Sequence, residues 1–193
     1  MKMNKKRFPA LALGTLLIVA AAALLFYNYY VEKSAGRKAR EISAEIEELL
    51  PEDSGGAVSE EEGAVDFEKL PELEIDGNSY VGILFIPAMN LELPVLSGPE
   101  KGNGAAMPYL RRGEEGFMIY GHNYCNQFAF LSSAASGDEV IFEDARGNRV
   151  TYSAASFETL SKTAIDQIPV KDYGLTLLTN KNGSGALQVL YCN

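Results

Sequence analysis

A mainly β fold is predicted: a closed barrel of about seven to eight short strands with short helices, set behind a membrane-crossing helix and a stalk. Three observations predict it. Phe8 to Tyr30 is an uncharged run of 23 residues, seven β-branched or aromatic runs lie between Tyr80 and Cys192, and turn residues separate those runs at short intervals. Several short strands with such turns suit a barrel or a sandwich, and closure removes the edges an open sheet would expose. With 193 residues, 47% of them hydrophobic, the chain has material for one domain plus extensions.

The extensions come first. Residues 1–7 carry Lys2, Lys5, Lys6 and Arg7 and read as a cytoplasmic basic tail. Residues 8–30 are long enough to cross the roughly 30 Å hydrocarbon layer as a helix. Phe26, Tyr27, Tyr29 and Tyr30 are placed for an outer interfacial belt. A cleaved signal peptide is the competing interpretation, since Ala20 to Ala23 offers small residues. Its apolar region is usually only about 7–15 residues long, and here Leu24-Leu25-Phe26 follows directly, so an uncleaved anchor is expected.

Residues 31–50 place Ala39, Ile42, Ile46, Leu49 and Leu50 at three- and four-residue spacings among charged residues, which predicts a stalk helix. Pro51 disfavours helical geometry in the residue before it and so ends that helix. Residues 51–78 hold a Glu run, a Gly pair and few aromatics, the composition of an acidic flexible linker. From Val31 to Asn78 there are fifteen acids and five bases, while Ser79 to Asn193 has a net charge of −3. The basic tail before the span and the acidic stretch after it predict an exterior C-terminal domain at the plasma membrane. This balance also excludes nucleic acid as a partner, because backbone binding needs clustered Lys and Arg.

The barrel domain is expected over residues 79–193. Strand-like runs are Tyr80–Ile86, Leu91–Leu96, Gly116–Tyr120, Glu139–Glu143, Arg149–Phe157, Gly174–Thr179 and Leu187–Cys192. Turns fall at Ser136-Gly137-Asp138 and Arg146-Gly147-Asn148, and one or two helical turns over Phe128 to Ala134.

Several motifs in this region resemble those of the sortases, membrane-anchored cysteine transpeptidases. Gly82-Ile83-Leu84-Phe85-Ile86-Pro87 is similar to the family's opening strand, and Leu93-Pro94-Val95 to the end of its second. Tyr120-Gly121-His122-Asn123 resembles the Gly-His motif and holds the single histidine of the chain. Phe128-Ala129-Phe130-Leu131 and Gly137-Asp138 fit the elements that follow. The last stretch, Leu175 to Cys192, looks like the family's active-site hairpin with its chemistry removed. By resemblance, Thr179 precedes the nucleophile position, which is Asn180, and Leu187 stands at the arginine position; a one-residue shift in the loop would put Ala186 there instead.

The chemistry implied by the resemblance needs three groups. A thiolate serves as nucleophile near neutral pH where an amide nitrogen does not. A histidine protonates the departing amine, and an arginine stabilises the oxyanion. Only His122 survives of the three. The resemblance therefore implies a cell-surface protein that has lost transpeptidation and binds sorting-signal peptides or a partner sortase. The alternative is an active transpeptidase or hydrolase with a non-standard or mutated nucleophile, with Cys125, three residues after His122, as the thiol. Cys125 and Thr179 are candidates for lining a substrate groove, although Thr179, adjacent to Asn180, should point to the opposite face of its strand. Ser184 reads as an ordinary turn residue.

Cys125 and Cys192 are expected as two free, buried thiols. The five residues from Leu187 to Cys192 span roughly 16 Å of strand, which carries Cys192 away from the end of the hairpin near Cys125, whereas a disulfide needs Cα atoms within about 7 Å. One histidine and two separated cysteines offer no tetrahedral metal set, and no cofactor is expected. Glu114, Glu115 and Asp144 read as solvated surface.

Overall fold

The computed structural model describes residues 8–50, 69–99, 107–111, 116–181 and 184–193, with side chains from Leu13 onward. The basic tail at 1–7, most of the acidic linker (51–68), Glu114, Glu115 and the loop residues 182–183 lie outside the described residues. Among the described residues one α-helix is present, α1 (Phe8–Leu49), which spans 42 residues. Nine strands follow among the described residues: β1 (Leu73–Ile75), β2 (Asn78–Ile86), β3 (Leu91–Leu96), β4 (Tyr109–Leu110), β5 (Met118–Gly121), β6 (Glu139–Asp144), β7 (Arg149–Ser161), β8 (Leu175–Asn180) and β9 (Ala186–Cys192). All seven predicted runs are strands, and Phe128–Ser132 is a 3-10 turn.

The sheet order is β1-β2-β3-β4-β5-β8-β9-β7-β6, and β2 also pairs with β6, which closes eight strands into a barrel with β1 outside the ring. Alternation along the strands divides the side chains into an interior and an outer set. The interior core contains Val81, Leu84, Phe117, Ile119, Phe142, Leu175, Leu177 and Leu190. Phe128, fully buried, packs into the same core. Closure depends on Gly82, which sits at a register shift between Tyr80 and Gly82 in β2 and pairs with Asp144 of β6. Its φ is +151°, and a Cβ there would come 1.9 Å from the Glu143 carbonyl oxygen, so glycine is the residue that fits. The bulge resets the alternation: Tyr80 and Ile83 face outward while Val81 and Leu84 face inward.

Two outer faces are covered. On one, Ala39, Ile42 and Ile46 of α1 pack with Ile75, Tyr80, Ile83, Leu96 and Met107. The helical spacing read from the sequence is real, but this half of α1 lies against the barrel rather than standing free of it. The barrel unit also begins earlier than residue 79: β1 and the start of β2 fall inside the stretch whose composition reads as a linker. Leu73 and Ile75 supply the apolar contacts that order it.

On the other face, a strap between β7 and β8 brings Ile165, Ile168, Val170 and Tyr173 onto Met118, Leu178, Leu187, Val189 and Tyr191. Tyr173 stacks on Tyr191 with ring centroids 4.4 Å apart, and Tyr191 Oη donates to Glu158 at 3.1 Å. Gly116 admits the strap, since a Cβ there would meet Val170 at 2.4 Å.

Asp144 is buried rather than solvated. Its carboxylate accepts the backbone N–H groups of Arg146 (2.8 Å) and Asn148 (3.0 Å) and the Asn148 side-chain amide (2.9 Å). It is the anchor of the predicted 146–148 turn, in the manner of Asp side chains that bond to backbone a few residues on.

Candidate functional site

Strands β5 and β8 are parallel neighbours, with Tyr120 opposite Leu178 and Gly121 opposite Thr179. His122 leaves the end of β5 where Asn180 leaves the end of β8, so the fold brings the two together at adjacent strand ends. Leu187 is opposite Asn180 across the β8–β9 hairpin. All three residues that the resemblance singles out are therefore gathered at one end of the barrel.

Tyr120 links two of them. The Asn180 side-chain amide donates to the Tyr120 hydroxyl, and the Tyr120 ring meets His122 edge-on with centroids 6.3 Å apart. Burial, and secondarily the neighbouring Tyr109, raises the Tyr120 pKa, so its hydroxyl keeps its proton. Sequence reading did not single out Tyr120. Its parity could have shown it, because it lies two residues before His122 on the strand face that also carries Asn180.

His122 is half-buried and stacks on Tyr124, with centroids 5.3 Å apart and planes 28° from parallel. Its backbone is fixed by its own N–H donating to Gln127 Oε1 at 3.1 Å and by its carbonyl accepting from Tyr124 and Phe128. Nδ1 is buried without a hydrogen-bond partner, and desolvation lowers the imidazole pKa below 6.5. The ring is neutral at pH 7. The unfolded chain takes up this proton first, so the contribution of His122 to stability is present above about pH 6.5 and is lost as pH falls below that value. Because there is one histidine, NMR titration of its ring protons reads this directly; a midpoint below 6.5 is expected, and one at or above 6.5 would contradict the burial account.

Thr179 does not line a groove. It is wholly buried on the inner face, and its hydroxyl donates to the Gly121 carbonyl at 2.8 Å, tying the two strand ends together. It points away from Asn180, as strand alternation requires. Leu187 is 2% exposed beneath the strap, with Leu160 of β7 as its other cross-strand partner. Ser184 is the turn residue expected, its hydroxyl donating to the Lys181 carbonyl.

Both cysteines are free, but Cys125 is exposed, not buried. It sits in the turn after His122 and faces α1, where its backbone N–H donates to the Glu32 carboxylate while the Asn126 amide donates to the Glu32 carbonyl at 2.8 Å. The exposure follows from this clamp, which pins the loop backbone to the helix and leaves the short side chain at the rim. Hydrogen bonding and charge from Glu32 raise the Cys125 thiol pKa, the opposite of the activation a nucleophile needs. Cys192 is buried and its pKa is pushed up to about 12 by desolvation. Alkylation of the native chain should therefore report Cys125 alone, and Glu32→Gln should speed it several-fold at pH 8. An unchanged rate would mean that Glu32 does not control the thiol. Among the described residues no cluster of three or more His, Cys, Asp or Glu is grouped to hold a metal ion.

A closed eight-stranded barrel with a histidine and a hairpin end meeting beside a strap defines a particular class of β protein. The Sortase domain family model matches residues 84–188, more than half of the chain, and the chain belongs to the sortase family. It is similar in fold to sortase C1 from Streptococcus suis (TM-score 0.51, 16% identity, 59% of this chain and 72% of the other). Sortase C from Clostridium perfringens (TM-score 0.50, 16% identity, 89% and 96%) and sortase A from Corynebacterium diphtheriae (TM-score 0.50, 15% identity, 93% and 94%) are similar over more of the chain. No curated protein matches it. Helix α1 is long and apolar enough to cross a membrane, with Leu13, Leu16, Leu17, Leu24, Leu25 and Phe26 all exposed.

Proposed function

We propose that this protein is a membrane-anchored, cell-surface member of the sortase family that binds sorting-signal peptides without joining them, its barrel lying outside the cytoplasm. The observation that carries this reading is the environment of Asn180. At the strand end beside His122, where the family resemblance puts a thiol, there is an amide already engaged by the Tyr120 hydroxyl. An amide at that position cannot form an acyl intermediate. Leu187 opposite offers no hydrogen-bond donor, and the loss of one oxyanion donor alone costs about a hundred- to a thousand-fold in other enzymes. His122, neutral and without a partner at Nδ1, has no ion pair through which to activate a nucleophile.

The alternative, turnover through Cys125, is disfavoured by its raised thiol pKa and its engagement with α1. The test uses the full 193-residue chain, because α1 and β1 are part of the folded unit. Incubated with fluorescent sorting-signal peptides and a Gly or diamino acceptor, it should bind without cleaving or joining them, and no thioester adduct should be found by mass spectrometry. Turnover abolished by Cys125→Ala would overturn the inactive reading. Absence of peptide binding, with a sortase recovered by cross-linking in membranes, would move the role to a partner protein.

A further inference from the structure

Where α1 leaves its apolar run it does not separate from the barrel. Between its next turns and β3 lies a crevice of about 500 Å³, whose lining includes Tyr29, Lys33, Gly36, Arg40, Asn90 and Glu92. Resting on the reading of α1 as a membrane anchor, we propose that this crevice holds the headgroup of an anionic phospholipid bearing free hydroxyls, of the phosphatidylglycerol type.

Position is the first reason. The crevice opens at Tyr29, at the level of the aromatic belt and directly above Leu24, Leu25 and Phe26, which are 64–78% exposed. Tyr29 to Lys33 is four residues, about 6 Å of helix at 1.5 Å per residue, comparable with the roughly 5–7 Å polar layer on one side of a bilayer. A lipid whose tails lie along that exposed apolar surface carries its headgroup into the opening.

Charge is the second. Lys33 and Arg40 are two turns apart on the same helix face, and helical side chains lean toward the N-terminus, here toward the membrane. Lys33 Nζ already lies 5.8 Å from the centroid of the Tyr29 ring. Both cations line the crevice, about 10 Å apart along the helix at 1.5 Å per residue. Glu32, also in the lining, accepts from the Cys125 N–H at one oxygen and keeps its charge, so the lining itself holds two acids and two bases; Glu92, exposed on β3, is placed to accept from a ligand hydroxyl. A choline headgroup has no donor for Glu92. Arg37 and Lys38, on the same turns but outside the lining, add positive charge that favours a lipid of net negative charge.

Native mass spectrometry of the full chain in mild detergent tests this, with phosphatidylglycerol, phosphatidylcholine of the same acyl chains, and free glycerol phosphate as probes. One retained phosphatidylglycerol is expected. Lys33→Gln with Arg40→Gln should lower retention about tenfold, and Arg37→Gln with Lys38→Gln by no more than about twofold. Equal retention of the two lipids, equal loss in both double variants, or binding of free glycerol phosphate as strong as that of the lipid would overturn the proposal. Failure of the chain to fractionate with membranes would instead overturn the anchor reading on which it rests.

Discussion

Leu187→Arg is expected to destabilise the barrel by about 2–4 kcal/mol, lowering the thermal midpoint by about 5–15 °C. Leu187 is 2% exposed and packs under Ile165, Ile168 and Val170, with Leu178 and Val189 beside it on the sheet. A guanidinium there loses the burial of the leucine side chain and must either remain unpaired in an apolar cluster or displace the strap to reach water. Circular dichroism melting of the full chain, wild type against variant, reads the effect. A midpoint within about 1 °C of wild type would show that the strap does not seal this position. The substitution also bears on function: an arginine at 187 cannot serve as an oxyanion donor unless the strap lifts. On the inactive reading proposed above, placing Arg at 187 and Cys at 180 is therefore not sufficient for turnover while the strap stays in place.

Gly82→Ala is expected to cost more, roughly 3–5 kcal/mol, and to loosen the β2–β6 pairing by which the barrel closes. The added methyl would meet a backbone oxygen at 1.9 Å, and the positive φ of +151° is disfavoured for any residue with a Cβ. Neither strand can move aside cheaply, since Gly82 pairs with Val95 on one side and Asp144 on the other. Amide hydrogen exchange in β2 and β6 should rise before exchange in β8 and β9. Uniform protection with an unchanged midpoint would rule out the steric account.

Strand runs were legible because β-branched and aromatic residues fill them and Gly, Asp, Asn and Pro separate them. The two strands that escaped notice, β1 and β4, have three and two residues, too few for alternation to register. Docking of α1 was hidden for a different reason. Ala39, Ile42 and Ile46 announce an apolar face, but a face does not name the surface that covers it. The bulge at Gly82, which turns Tyr80 and Ile83 to the same side to make that surface, is a property of register, not composition.

At the site, the meeting of His122, Asn180 and Leu187 was legible only through motif resemblance, since they are 58 and 65 positions apart in the chain. The Tyr120–Asn180 bond and the effect of Glu32 on Cys125 depend on parallel pairing and on helix docking. Neither leaves a local pattern. Asp144 was misjudged because an acid before Arg-Gly-Asn looks solvated until the turn wraps its N–H groups around the carboxylate.

The unbroken course of α1 from Phe8 to Leu49, seated on the barrel through Ala39, Ile42 and Ile46, joins the apolar run and the barrel through one continuous helix. With this geometry in a membrane, the height of the His122 end above the lipid is set by the length of α1 between its apolar run and its seat on the barrel.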